Sequence, residues 1–218
     1  MPSVRYAEAL DHLLIGAPSL ESGVSWLEAR TGVRAIPGGA HPGLGTWNAL
    51  ASLGPARYIE IIAPDPAQPD AHTFYVPGLR DFDAPRIVTW AAKGSNLEQA
   101  FMSSLPDDIF CAPPRQGRRL RPDGTELAWT LVFPKHRTHG VFDGALPFLI
   151  EWKTSINHPG STAPAGLILR GLSFSHPEPE ELKHALGALG IDSQVERADS
   201  TSIRVELDTP RGVIVLTT

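Results

Sequence analysis

The chain has 218 residues, of which 42% are hydrophobic, so it is long enough to form one large domain or two small ones around a packed core. A formal net charge of −5 with no basic cluster argues against binding to nucleic acid. No stretch approaches the roughly 20 consecutive apolar residues of a membrane span, and no signal peptide precedes the first apolar run, so we expect a cytoplasmic protein without a membrane partner. The single cysteine, Cys111, excludes an internal disulfide and a zinc site made of several thiolates.

The first part of the chain predicts a strand, a helix and three further strands. An apolar run over residues 9–16 is typical of a strand that is covered on both faces. Ser19 is a suitable N-cap for an amphipathic helix that continues to Arg30 and stops at Thr31-Gly32. A glycine-rich loop follows the next short strand. The predicted strands after the helix are residues 33–36, 46–53 and 57–63.

The same order of elements recurs twice along the chain, which indicates internal repeats. The second round has a strand at residues 86–92, a helix at 97–105 and later strands ending with 126–133 and 146–152. The third round has a strand at 167–175, a helix up to Leu189 and strands at 194–197, 202–207 and 212–217. We therefore predict three βαβββ modules, at residues 8–64, 86–155 and 166–218.

Two polar side chains interrupt the apolar runs of the first module. His12 lies between Asp11 and Leu13, and Glu60 lies between isoleucines. Burying an imidazole or a carboxylate costs several kcal/mol unless a partner compensates. His12 is either a core histidine bonded to a backbone carbonyl or a functional ligand, and Glu60 is either paired with an arginine or acts as a ligand or base. Glu151 has similar apolar neighbours in the second module, with Lys153 nearby as an alternative ion-pair partner.

Several common classes of enzyme lose support because their motifs are missing. The sequence has no Gly-x-Ser-x-Gly elbow, no phosphate-binding Walker loop, no dinucleotide fingerprint and no His-Glu-x-x-His. Cys111 lies in a loop-like stretch with no evident base, so packing explains it better than nucleophilic catalysis.

The order of motifs over residues 8–176 resembles the glyoxalase-like domain group of the vicinal oxygen chelate superfamily, which includes glyoxalase I, extradiol dioxygenases and fosfomycin-resistance proteins. The matching segments are Leu10-Asp11-His12-Leu13, residues 37–48, Tyr58-Ile59-Glu60-Ile61, Arg121-Pro122-Asp123-Gly124 and Pro147-Phe148-Leu149-Ile150-Glu151-Trp152. The resemblance implies an α+β fold in which βαβββ modules form a cupped half-barrel of mixed sheet with the helices outside.

The resemblance also implies a divalent metal ion held inside the cup by residues of the first and fourth strands of each module. Carried over by position, the ligands are His12, Glu60 and Glu151, and the two glutamates are the candidate catalytic residues. Thr89 falls where the second module should supply a histidine, and threonine is a poor ligand. His158 is a candidate replacement. The third module has no ligands, so packing or dimerisation is its expected role.

A small-molecule pocket is expected beside these residues. The candidate pocket residues are His41, Asn48, Tyr58, Trp129, Phe148 and Arg121. His41 alternatively serves a tight connection between strands, and the aromatic residues alternatively belong to the core. Arg119 and Arg121 flank the Asp123-Gly124 turn, where surface arginines are more common than carboxylate clamps.

Three functional hypotheses follow. The first is a metal-assisted lyase, isomerase or dioxygenase that chelates vicinal oxygens of a small metabolite. The second is a metal-free protein of the same fold that binds or sequesters a small molecule, which Thr89 favours. The third is an oligomeric scaffold in which the third module pairs with its copy, so a homodimer is the expected assembly.

Overall fold

The computed structural model describes residues 4–73, 76–106, 109–110, 112–121, 123–134, 142–153 and 158–218, with the side chains of residues 4–7 left aside. The prediction for Cys111 lies outside the described residues. The first part of the chain forms β1 (Val4–Arg5), α1 (Tyr6–Ala9), β2 (Leu10–Gly16), α2 (Leu20–Thr31), β3 (Ile36–His41), β4 (Thr46–Ser52) and β5 (Tyr58–Pro64).

The middle part forms a 3₁₀ turn at Leu79–Asp81, β6 (Arg86–Lys93), α3 (Leu97–Ser103), β7 (Arg115–Leu120), β8 (Glu126–Val132) and β9 (Phe148–Trp152). The last part forms α4 (Pro159–Thr162), β10 (Ile168–His176), α5 (Pro179–Ala188), β11 (Ile191–Asp192), β12 (Val195–Arg197), β13 (Ser202–Thr209) and β14 (Gly212–Thr217). No helix among these described residues is long and apolar enough to cross a bilayer.

Helix α2 begins and ends where the sequence predicts. The hydroxyl of Ser19 accepts a hydrogen bond from the backbone N–H of Ser22 at 3.2 Å, and the hydroxyl of Ser22 accepts one from the backbone N–H of Ser19. Gly32 adopts a φ of 78° at the other end, a conformation that glycine adopts without steric cost. The buried face of α2, which includes Val24 and Leu27, packs against β4 and β5.

Eight strands form one mixed sheet in the order β3-β4-β5-β2-β6-β9-β8-β7. Strand β2 runs parallel to β5 and antiparallel to β6, and β6 runs parallel to β9. The sheet curves until its two edge strands meet, where the Arg119 guanidinium of β7 donates a hydrogen bond to the Gly38 carbonyl of β3. The predicted α+β fold with a cupped mixed sheet is therefore confirmed.

The last part of the chain forms a second sheet in the order β12-β10-β13-β14, while β11 pairs with β1. One core joins the two sheets, because the ring of Phe174 in β10 stacks on Trp90 of β6 with 5.7 Å between ring centroids. The concave face of the large sheet has its own apolar cluster, which includes Leu14, Trp129 and Phe148. The second sheet therefore packs behind the cup and leaves its interior to the large sheet.

Candidate functional site

A pocket occupies the interior of the cup, with a volume of about 470 Å³ including its mouth. The residues that line the pocket come from both halves of the large sheet. The first half of the large sheet supplies His12, Leu14, His41, Asn48, Tyr58, Glu60 and Ile62. The second half supplies Arg119, Trp129, Leu131, Phe133, Phe148, Ile150 and Trp152.

Strand alternation brings His12 and Glu60 into the same pocket. In the parallel pair of β2 and β5, His12 lies opposite Tyr58 and Leu14 lies opposite Glu60. Because every second side chain of a strand points to the same face, all four side chains line the cup. The expected proximity of His12 and Glu60 is therefore observed.

Glu60 is the only acidic residue among the described residues that line the pocket. Its side chain is buried, and its Oε1 accepts a hydrogen bond of 2.7 Å from the Asn48 amide. Its Oε2 lies 3.3 Å from His12 Nε2, and its Oε1 lies 3.8 Å from His41 Nε2. These neighbours hold the carboxylate in one orientation at the polar end of an otherwise apolar pocket.

Asp11 orients His12 by contacting Nδ1, the ring nitrogen that faces away from Glu60. Its Oδ1 lies 2.8 Å from His12 Nδ1, and its Oδ2 accepts a hydrogen bond of 3.1 Å from the Trp152 indole. The irregular register between Leu10 and His12 forms a bulge that lets both neighbouring polar side chains face buried partners. Burial favours a raised pKa for Asp11, but the hydrogen bonds to His12 and His158 hold its pKa well below the ordinary value. The sequence pattern of β2 does not reveal this role, because a bulge leaves no signature in hydrophobic alternation.

His158 contacts Asp11 rather than the pocket. Its Nε2 lies 3.1 Å from Asp11 Oδ2, and its Nδ1 accepts a hydrogen bond from the backbone N–H of Gly160. Both ring nitrogens therefore have protein partners, so the position predicted for a replacement metal ligand serves instead to hold Asp11.

His41 is buried beside Glu60 and is uncharged at neutral pH. Burial lowers the pKa of His41 to about 4, against the attraction of the Glu60 carboxylate. Its Nδ1 lies 2.9 Å from the Thr46 hydroxyl, and its Nε2 lies 3.4 Å from the Asn48 amide. His41, predicted either as a pocket residue or as part of a tight connection between strands, is the last residue of β3 and lines the polar end of the pocket.

Aromatic rings confine the His12 imidazole. Tyr58 stacks on it with centroids 4.6 Å apart, and Phe148 meets it edge-on at 5.4 Å. Burial raises the pKa of the Tyr58 hydroxyl well above 10. Trp129 approaches His41 in a T-shaped contact of 6.2 Å. These three aromatic residues, predicted as pocket or core, line the pocket.

The structure differs from the expectation for the two arginines near the Asp123-Gly124 turn. Arg119, expected on the surface, is only 4% exposed and lines the pocket. Arg121, expected in the pocket, lines a neighbouring outer cavity instead. The hairpin pairing explains the difference, because Gly117 lies opposite Trp129 and Arg119 opposite Leu127, so these residues share the inward face of the sheet.

The structure does not bring Glu151 to His12 and Glu60. Phe148, Ile150 and Trp152 of β9 line the pocket, so alternation directs Glu151 to the other face. There its Oε2 accepts a hydrogen bond of 3.0 Å from the backbone N–H of Leu97, at the start of α3, and lies 3.3 Å from Lys153 Nζ. The Glu151 pKa is lowered by these contacts, which outweigh the opposing effect of partial burial.

The predicted metal ligands do not meet around one point. Glu151 lies on the wrong face, and the Thr89 hydroxyl donates a hydrogen bond of 2.9 Å to the Gly144 carbonyl. Within the described ranges, no group of three His, Cys, Asp or Glu side chains is arranged to hold a metal ion. The set of His12, Glu60 and Glu151 therefore does not fit the implied ion.

Comparison with known proteins agrees with the fold and the motifs. The glyoxalase-like domain family matches residues 10–190. A hypothetical protein from Staphylococcus aureus superposes with a TM-score of 0.65 at 14% identity, covering 95% of this chain and 84% of that one. The methylmalonyl-CoA epimerase of Mycobacterium tuberculosis superposes with a TM-score of 0.43 at 20% identity, covering 69% and 92% respectively.

A hypothetical protein from Bacillus halodurans C-125 superposes with a TM-score of 0.45 at 14% identity, over 68% of this chain and 96% of that one. No curated protein sequence matches the chain significantly. The family match spans far more than half of the sequence and includes the strands that carry His12 and Glu60. The chain therefore belongs to the glyoxalase-like domain family.

Proposed function

We propose that the protein is an isomerase or lyase in which Glu60 exchanges a proton with a small carbonyl compound bound in the cup. The observation that carries the proposal is the placement of Glu60. It is the sole acidic lining residue of the described pocket, and Asn48 and His12 hold it facing apolar and aromatic walls. A fixed, buried carboxylate beside apolar walls is suited to act as a general base.

In the proposed reaction the Glu60 carboxylate takes a proton from a carbon next to the carbonyl of the ligand. The electron pair of the broken C–H bond moves into the carbonyl, whose oxygen becomes an enolate. Glu60 then returns the proton to the opposite face of the same carbon after the planar enolate has turned in the pocket, or the enolate expels a leaving group with its electron pair from the neighbouring carbon. The first outcome is an isomerisation and the second is an elimination, so one arrangement of residues serves both.

His12 and Asn48 act on the proton-transferring carboxylate. The Asn48 amide donates to Oε1 and leaves Oε2 to face His12 Nε2. Asp11 engages the other ring nitrogen of His12, so Nε2 is directed towards Glu60. Because His41 is neutral, it places no positive charge beside the carboxylate, and this favours Glu60 as a proton acceptor.

Proton exchange tests the proposal directly. The protein is incubated in D₂O with a panel of small 2-oxo acids, ketones and aldehydes, and ¹H NMR follows the loss of signals from protons next to the carbonyl. The wild type should exchange at least one compound, and Glu60→Gln should slow that exchange by about 10²–10⁴-fold. Glu151→Gln is the matched control and should exchange at the wild-type rate, because Glu151 faces away from the pocket.

The proposal fails if no compound of the panel exchanges faster than in buffer, or if Glu60→Gln exchanges at the wild-type rate. A second candidate is a metal-free binding or sequestering protein, favoured by the apolar and aromatic walls that the second half of the sheet contributes. That function is distinguished by ligand-induced thermal stabilisation of the wild type without any proton exchange.

A further inference from the structure

Arg119 is a buried cation at the wall of the pocket. It is 4% exposed and projects from β7 into the seam where the two edge strands of the large sheet meet. Its guanidinium donates to the Gly38 carbonyl across that seam. One backbone carbonyl can occupy only part of the five N–H donors that an arginine carries.

No carboxylate of the described residues lies within 4 Å of the Arg119 guanidinium. Glu60 acts on Arg119 only at longer range, and its carboxylate is already engaged by Asn48 and His12. Burying a cation without a paired anion costs several kcal/mol of folding free energy. Burial also lowers the pKa of Arg119, which remains charged at neutral pH. Such a residue is suited to receive an anion from outside the chain.

We propose that Arg119 binds the carboxylate of the ligand, and that the ligand is therefore a small carboxylic acid with an apolar body. The inference rests on the proposed function, because it places the carboxylate in the same pocket as Glu60. An arginine fork binds a carboxylate through two parallel N–H···O bonds, which fixes the orientation of the ligand as well as its charge. The apolar body then lies against Trp129 and Phe148.

Arg119 lines a cavity on either side of the seam. Besides the pocket, Arg119 lines an outer cavity of about 600 Å³, whose other members include Leu50, Arg121 and Pro159. A carboxylate held at the seam is therefore reachable from the surface. The position of the anion, inside the cup or in the outer cavity, can be tested by comparing Arg119 with Arg121.

The test uses a neutral and a charged probe of similar shape, phenylacetamide and phenylacetate, together with acetate. Binding is measured by calorimetry and by the shift in the thermal unfolding midpoint. The wild type should bind phenylacetate in preference to phenylacetamide. Arg119→Gln should weaken phenylacetate binding by about tenfold or more, because a charge-assisted contact is lost. Arg118→Gln is the matched control, since Arg118 is its exposed neighbour on the same strand, and should bind like the wild type.

If Arg119→Gln fails to fold, Arg119→Lys keeps the charge but loses the fork, and it should still prefer phenylacetate while binding it more weakly than the wild type. Wild-type protein that binds neither carboxylate, or that binds phenylacetamide equally well, overturns the inference. A folded Arg119→Gln variant with wild-type affinity also overturns it. So does an equal loss in Arg121→Gln, which would place the anion in the outer cavity. Binding that depends on Arg119 without any proton exchange would instead contradict the proposed function alone.

Discussion

Glu60 of β5 and Phe148 of β9 line the pocket from opposite halves of the large sheet, and both approach the ring of His12. The antiparallel pairing of β2 and β6 joins these two halves, with His12 opposite Ala91 and Leu14 opposite Thr89. Leu14 pairs with Glu60, and Ala91 pairs with Phe148. The two halves of the cup have the same backbone arrangement.

The two halves of the cup carry side chains of different chemistry. Where the first half has a histidine and a glutamate, the second half has a threonine bonded to a carbonyl and a phenylalanine that contacts His12. In the proposed function the first half supplies the proton-transfer groups, while the second half supplies the apolar wall and Arg119. A repeated fold has acquired a catalytic half and a binding half in the function proposed here.

The position of Glu151 leads to a prediction about metal ions. Glu151 faces the start of α3, so Glu151→Gln should not alter any response to Mn²⁺, Zn²⁺ or Ni²⁺. Thermal unfolding of both proteins, with each ion and after EDTA treatment, should show equal midpoint shifts. Glu60→Gln serves as the comparison within the pocket. A metal-induced stabilisation that is present in the wild type and absent in Glu151→Gln would contradict the position assigned to Glu151.

Gly117 should be intolerant of a side chain. A Cβ at this position would lie 2.4 Å from the indole Nε1 of Trp129, which lines the pocket. Gly117→Ala should therefore displace Trp129 and lower the free energy of unfolding by about 1–3 kcal/mol, measured by urea denaturation. Gly187→Ala is the control, because a Cβ added there would meet no atom within 4 Å, and it should stabilise the protein by about 0.4–1 kcal/mol. Equal effects of the two substitutions would argue against close packing at Gly117.

Most strands and helices could be predicted from the sequence because their signals are local, whereas the cupped arrangement followed from the resemblance to the glyoxalase-like domain group, and residues 37–41 of β3 were predicted as a loop. Apolar runs bounded by glycine and proline mark the strands, and Ser19 marks the start of α2. The convergence of His12 and Glu60 was also predictable, since each interrupts an apolar strand. Residues whose partners lie within one strand pair are therefore well represented in sequence patterns.

The rest of the site depends on register and irregularity. Glu151 lies three positions after Phe148, so the two side chains point to opposite faces of β9. The apolar run that ends at Trp152 does not show which of these faces lines the pocket. Arg119 was predictable in principle, because a hairpin closed at the Asp123-Gly124 turn pairs it with the apolar Leu127. The role of Asp11 was not predictable, because it depends on a bulge.

Asp11 should contribute strongly to stability near neutral pH. Its buried carboxylate contacts the side-chain nitrogens of His12, Trp152 and His158. In Asp11→Asn the amide NH₂ group, which only donates, would face one of these N–H groups. Asp11→Asn should lower the free energy of unfolding by about 1–3 kcal/mol at pH 7, measured by urea denaturation. Asp199→Asn is an exposed control and should change it by no more than about 0.5 kcal/mol.

The deficit of Asp11→Asn should also depend on pH. The pKa of Asp11 is lower in the folded state than the value of about 3.9 expected in the unfolded chain. The ionised form therefore stabilises the protein above pH about 4, and this stabilisation is lost as the pH falls towards the folded-state pKa. The difference between wild type and variant should shrink below pH about 4, whereas a difference that is constant with pH would mean that Asp11 acts only through packing.

His41 should make the protein less stable in mild acid. Its folded-state pKa is about 4 because it is buried, whereas an unfolded histidine titrates near 6.5. Between these values the unfolded state binds a proton that the folded state excludes, so stability should fall as the pH drops from about 6.5 to about 4. The full difference corresponds to at most about 3 kcal/mol.

The His41→Gln variant isolates this contribution. Glutamine does not titrate, so the variant should lose less stability than the wild type over the same pH interval, even if it is less stable at pH 7. Urea denaturation at closely spaced pH values measures both curves, and His184→Gln provides a control at an exposed histidine of α5. Parallel curves for wild type and His41→Gln would show that His41 takes up its proton as readily in the folded pocket as in water, and would contradict its burial beside Glu60 in the uncharged form.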